Sequence, residues 1–183
     1  VDDLERRYAG TRLGRQELDG EILDDTAGAL WRWSWLDAAR VEKAPDLRRV
    51  VVAIDPAVST GDESDETGII VAGVGFDGRG YILEDASGKH RPEDAARVAL
   101  GCFDRHKADA IVAEVNNGGD WIPSLFRTHR PGVVVKTVHA SRGKLTRAEP
   151  IAALYEQAKV SHVGAFAKLE DQLTTWDAAT SKR

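Results

Sequence analysis

Methionine is absent from all 183 residues, position 1 included, and cysteine occurs once, at Cys102. The first absence, with a start inside the charged stretch Val1-Asp2-Asp3-Leu4-Glu5-Arg6-Arg7, leads us to expect a piece of a longer polypeptide. The second excludes an internal disulfide, fits a reducing cytosolic compartment and leaves Cys102 as an inert buried thiol. Long apolar runs are missing too: nothing approaches the roughly 20 residues that a bilayer span requires, and the N-terminus carries no signal-peptide pattern. Positive charge is in deficit, with 25 Lys and Arg against 30 Asp and Glu, a net charge of -5. That balance argues against a protein gripping nucleic acid over its whole surface, while leaving room for a local basic patch.

Several chemistries lack their residues. No arrangement of Ser, His and Asp suggests an acyl-transfer triad, and Cys102 with scattered histidines has no zinc-ligand spacing. Gly143-Lys144 is followed by Leu145 and lacks the preceding glycine of a phosphate loop, so no Walker-type ATP site is expected. No internal repeat or low-complexity segment is present.

What the chain does have is 42% hydrophobic residues, enough to bury a core and to exclude disorder as the whole answer. Residues 1 to about 45 are rich in charge and glycine and close at Pro45; they read as a linker or interdomain arm. Inside it, Trp31-Arg32-Trp33-Ser34-Trp35 alternates with period two, which predicts a short strand with three indoles on one face. Those indoles are either a cover on the main core, the favoured reading because aromatics usually bury area first, or a docking surface for a neighbour.

From Arg48 onward strands and helices succeed one another. Strands are predicted at Val50 to Ile54, Thr67 to Val74 and Gly80 to Glu84, with Phe76-Asp77-Gly78-Arg79-Gly80 as the hairpin turn. A crossover helix follows from Pro92 to His106, then a strand from Ala110 to Glu114 and a helix from Trp121 to Thr128. The remainder reads as a strand at Val133 to Val138, a helix at Glu149 to Ala158, an extended piece around Val160 and a helix from Lys168. Three antiparallel strands, then helix, strand, helix, strand, helix, is the order of a ribonuclease H-like fold: an α/β architecture with a mixed central sheet flanked by helices, in which the first and fourth strands are central neighbours.

That order gives two carboxylates a meaning. Val50-Val51-Val52-Ala53-Ile54 runs into Asp55, and Ala110-Ile111-Val112-Ala113 runs into Glu114. Side by side, the two acids sit at one sheet edge, where open sheets place ligands, and form a hard-oxygen pair for a divalent cation. Asp55 alone also reads as a turn cap before Pro56, and the acidic loop Asp62-Glu63-Ser64-Asp65-Glu66 alone as solvated charge. Converging acids on a strand edge tip the balance toward a metal site. The loop Asn116-Asn117-Gly118-Gly119-Asp120 after Glu114 lets backbone approach an anion and leads into a helix N-terminus. After the fifth strand, Arg142, Lys144 and Arg147 form a basic loop expected to contact DNA phosphates, giving salt-dependent affinity without sequence readout.

Taken together, several stretches resemble the C-terminal nuclease half of the large terminase subunit of tailed bacteriophages and prophages. They are Arg12-Leu13-Gly14-Arg15-Gln16-Glu17-Leu18-Asp19-Gly20-Glu21, Val52-Ala53-Ile54-Asp55-Pro56-Ala57, Asp65-Glu66-Thr67-Gly68-Ile69, Ala113-Glu114-Val115-Asn116, Arg147-Ala148-Glu149-Pro150 and Leu169-Glu170-Asp171-Gln172-Leu173. The resemblance implies a metal-dependent endonuclease that cuts concatemeric double-stranded viral DNA during packaging in the host bacterial cytoplasm. It implies two magnesium or manganese ions, about 3.5 to 4 Å apart in such mechanisms, with Asp55 and Glu114 as metal-binding catalytic acids and Asp65 as a weaker third. Residues 1–45 then correspond to the end of an ATPase domain and its linker, and 46–183 to the nuclease domain. The implied partners are that ATPase domain, the small terminase subunit and the portal, with no membrane. One departure stands out: the family's further aspartate follows the Trp176 region, and the chain stops at Arg183 before an equivalent, Asp177 matching a variable position. A resolvase or transposase-like nuclease of the same fold, or a catalytically silent DNA- or portal-binding module, are the alternatives.

Overall fold

The structure, a computed structural model, describes residues 28–57, 66–115 and 121–177. The chain divides into two compact units, one formed by residues 43–143 and the other by the segments on either side of them.

The 43–143 unit is built on β1 (Leu47–Asp55), β2 (Gly68–Gly75), β3 (Gly80–Asp85), β4 (Ala110–Glu114) and β5 (Val135–Val138). Their order across the sheet is β5-β4-β1-β2-β3. β1 to β3 form the expected antiparallel meander, and β4 pairs parallel with β1 on one side and with β5 on the other. Alternation decides which side is core: Val50, Val52 and Ile54 of β1 are buried with Ile69 and Val71 of β2 and Ile111 and Ala113 of β4. The intervening Val51 and Ala53 face the other way, half-buried.

Two helices cover the core side, α2 (Pro92–Arg105) with Ala95, Ala96, Ala99 and Cys102, and α3 (Trp121–His129) with Ile122 and Phe126. Helix α2 begins with Pro92 in its first turn followed by Glu93 and Asp94, and ends on Arg105, the charge order that its dipole favours. Cys102 is buried, and burial with the Glu84 carboxylate beside it pushes its thiol up to about 11, so it is no nucleophile at neutral pH. At the far end of the hairpin, Gly78 takes φ +79°, and Asp77 accepts from the Arg79 N–H at 3.0 Å and the Tyr81 hydroxyl at 2.6 Å. At the same end of the sheet, Asp109 clamps the start of β4 to β1: its Oδ2 accepts the Val50 N–H at 2.7 Å and its own N–H donates to the Val50 carbonyl at 2.8 Å.

The other unit contains α1 (Trp33–Ala38), α4 (Lys144–Glu156), β6 (Val160–His162) and α5 (Ala167–Thr175). The strand expected at Trp31 to Trp35 is not there. Trp33 opens a helix whose buried positions are Trp33 and Leu36, an i, i+3 pair that outranks the period-two indoles. Trp31 is buried against Tyr155 and Trp176, with ring centroids at 6.3 and 6.1 Å, so this indole packs within this unit and is not part of the core of the 43–143 unit. Helix α4 starts five residues before the expected Glu149 and carries Pro150 in its interior. The cost is one missing N–H donor to the Thr146 carbonyl, and proline's fixed φ suits the helix.

A buried polar chain ties this unit together. Glu170 is fully buried; it accepts Arg40 Nη1 at 2.7 Å and Nη2 at 3.2 Å, and the Phe166 N–H at 3.2 Å. His162 Nδ1 lies 2.8 Å from the same carboxylate and Nε2 lies 2.9 Å from the Tyr155 hydroxyl. With Nδ1–H donating to the carboxylate, Nε2 accepts the tyrosine proton and every member is satisfied. Burial alone raises the Glu170 carboxyl, but hydrogen bonds from His162 and Arg40 and the guanidinium charge outweigh it and hold the group below the usual carboxylate range. A carboxyl depressed in the folded state stabilises above its unfolded pKa, about 4.3, and that contribution is lost as pH falls through the folded value. Thermal melts from pH 7 down to pH 3 are expected to show stability falling below about pH 4.5, with the fall reduced in Glu170→Gln.

Among the described residues no helix is long and apolar enough to cross a membrane.

Candidate metal and catalytic site

The register of β1 against β4 builds the site. Val52 pairs with Ile111, Ala53 with Val112 and Ile54 with Ala113, so Asp55 and Glu114 come next, as the terminal residues of adjacent parallel strands. Residues opposite one another in a parallel pair share a face, about 4.8 Å apart between strands. Both acids therefore project from the face opposite the helix-covered core, at the carboxyl edge of the sheet. Asp55 is exposed and Glu114 half-buried, so the pair is open to solvent.

The neighbours on each side complete a row across the sheet. Gly68 of β2 stands opposite Asp55, and Val138 of β5, 45% exposed, stands opposite Glu114. Buried Thr67 fixes the chain leaving Asp55: its Oγ1 accepts the Ala57 N–H at 3.3 Å, while its backbone exchanges two hydrogen bonds with Gly88. On the other side, the Val115 N–H donates to the Val138 carbonyl at 2.9 Å, holding the exit from Glu114. Both acids are thus carried on paired backbone on both sides.

The remaining expected site residues distribute differently. Asp65, the rest of the acidic loop up to it and the Asn116 to Asp120 loop lie outside the described residues. Arg142 is exposed, in the segment that leaves the same sheet edge after β5. Lys144 and Arg147 are exposed as well, but they stand in the first two turns of α4, so the expected basic loop ends at Gly143 and only Arg142 belongs to it. Among the described residues no group of three or more His, Cys, Asp and Glu is placed to hold a metal ion. The site they define is a two-carboxylate pair of hard oxygen donors, a set that suits magnesium, manganese or calcium far better than softer ions.

A mixed sheet whose first and fourth strands end in adjacent acids is the ribonuclease H-like arrangement. The model of the terminase RNaseH-like domain matches residues 52–182, and the chain belongs to that family. Among solved structures, the large terminase nuclease from thermophilic phage G20c is similar with a TM-score of 0.56 and 16% identity, over 82% of this chain and 82% of that one. The nuclease domain of the large terminase subunit gp2 of bacterial virus Sf6 gives a TM-score of 0.53 and 17% identity, over 80% of this chain and 67% of that one. No protein with a curated description matches the chain.

Proposed function

We propose that this chain is the nuclease domain of a phage DNA-packaging motor, a magnesium- or manganese-dependent endonuclease that cuts concatemeric double-stranded DNA in the host cytoplasm. The observation that carries the reading is the β1–β4 register, which makes Asp55 and Glu114 neighbours on one open face. Structures of related nucleases support a divalent cation: a Sf6 gp2 nuclease variant is described with calcium and the G20c nuclease with bound cobalt, at TM-scores of 0.53 and 0.52. Asp55 and Glu114 would hold the ions, with Asp65 as a further acid. When bound, two such ions activate a water and stabilise the leaving oxygen of the phosphodiester. The chain's own contribution is to hold two carboxylates oriented at a sheet edge and to present Arg142, Lys144 and Arg147 to the DNA backbone. In the same reading residues 1–45 are the end of an ATPase domain of the same polypeptide and its linker, and the small terminase subunit and portal are further partners.

The test is cleavage of supercoiled plasmid with magnesium, manganese or EDTA. Nicking and linearisation with either metal and none in EDTA are expected. DNA binding without metal-dependent cutting would turn the reading into a silent DNA- or portal-binding module. For the basic residues, Lys144→Ala with Arg147→Ala is expected to weaken duplex affinity and to lower the slope of log K against log salt by about 0.9 for each phosphate that is no longer neutralised. Fluorescence anisotropy over a salt series measures both, and an unchanged slope would take these residues off the DNA path.

A further inference from the structure

β2 contains three glycines, Gly68, Gly73 and Gly75, and a glycine inside a strand weakens it because it packs no side chain. Neighbours account for two of them. A Cβ at Gly73 would lie 2.7 Å from Leu47 Cδ1 and 3.1 Å from the Arg49 carbonyl oxygen, and one at Gly75 would collide with the Asp77 carboxylate. Gly68 has no such reason. Its φ lies outside the left-handed region, and a Cβ there would meet, among the described residues, only Asp55, at 3.7 Å from its Cβ and 4.0 Å from its carbonyl oxygen. Those are ordinary contact distances, so among the described residues neither backbone conformation nor packing requires glycine at this position.

What singles out Gly68 is its place in the row Gly68, Asp55, Glu114, Val138. It is the position beside Asp55, on the same face, from which no side chain rises. We propose that Gly68 is kept bare so that the outer coordination shell of a divalent cation, its waters or a phosphate oxygen, occupies the space beside Asp55. The inference rests on the functional reading above. Hard cations such as magnesium retain several waters when carboxylates bind them, and that shell needs polar, open volume. The γ-carbons of a valine would fill it and desolvate the carboxylate that must stay charged.

The signature is an opposition between stability and ion binding. Gly68→Val restores a β-branched residue to a strand, so its melting temperature in EDTA is expected to rise by about 2 to 4 °C. Its affinity for Mn2+ alone, measured by titration calorimetry without DNA, is expected to fall by at least about tenfold, the scale on which groups around a metal's ligands alter affinity. Gly68→Ala, which adds only the Cβ, is expected to fall between the two. A Gly68→Val protein that binds Mn2+ as tightly as the parent overturns the inference. One that melts below the parent also overturns it, because packing would then require the glycine. A parent protein with no affinity for Mn2+ removes the functional reading and the inference with it, whereas equal binding by parent and variant removes the inference alone.

Discussion

Asp55→Ala is expected to reduce metal-dependent plasmid cleavage by about a thousandfold or more while leaving the melting temperature unchanged or slightly raised. The loss follows from what the carboxylate would do: metal-borne stabilisation of the transition state amounts to several kcal/mol, and each 1.36 kcal/mol is a factor of ten in rate. The stability result follows from position, because Asp55 is an exposed residue at the end of its strand, beside Glu114. Two like charges on adjacent strand ends repel, so removing one relieves the fold. Glu114→Ala is expected to behave in the same way. Cleavage that survives either substitution would remove that acid from the site, and cleavage lost together with the fold would make its role structural.

The second large effect lies in the other unit. Glu170→Ala is expected to destabilise the protein by about 3 to 5 kcal/mol, the range for breaking a buried ion pair by removing one partner. The substitution would leave the Arg40 guanidinium, the His162 Nδ1–H and the Phe166 N–H without their shared acceptor. Urea unfolding at pH 7 measures it; a loss below about 1 kcal/mol, the usual worth of a single net hydrogen bond, would mean that the network relaxes onto other partners. Cys102→Ala, by contrast, is a change in a buried thiol that no catalytic argument uses.

The two strands that carry the acids were legible because their apolar runs are short, continuous and end in Asp55 and Glu114. The adjacency followed from element order: β1 and β4 are neighbours as the ribonuclease H-like order required, and Asp55 with Glu114 came together as expected. Three features were not legible, each for a physical reason. Trp31-Arg32-Trp33-Ser34-Trp35 has the period of a strand, yet the competing i, i+3 spacing of Trp33 and Leu36 won once the helix had a surface to pack on. The helix expected from Glu149 begins at Lys144 instead, because the one donor that Pro150 lacks does not stop α4 from running through it. The Arg40–Glu170 pair joins residues 130 positions apart, and no local pattern announces such a partner. Gly68 was visible within a resembling motif, but its significance needed the row of side chains across the sheet.

The Asp109 clamp on Val50 has a temporal consequence. The two bonds span 59 residues, and they tie the far ends of the strands that carry Asp55 and Glu114. A slip of one residue between those strands would turn one acid to the opposite side of the sheet. During synthesis, then, a chain that has made Asp55 but not yet the strand ending in Glu114 holds no acid pair. Whatever hydrolytic capacity the finished protein has is withheld from the nascent chain, and it arises only when a distant strand has been made, docked and locked in step.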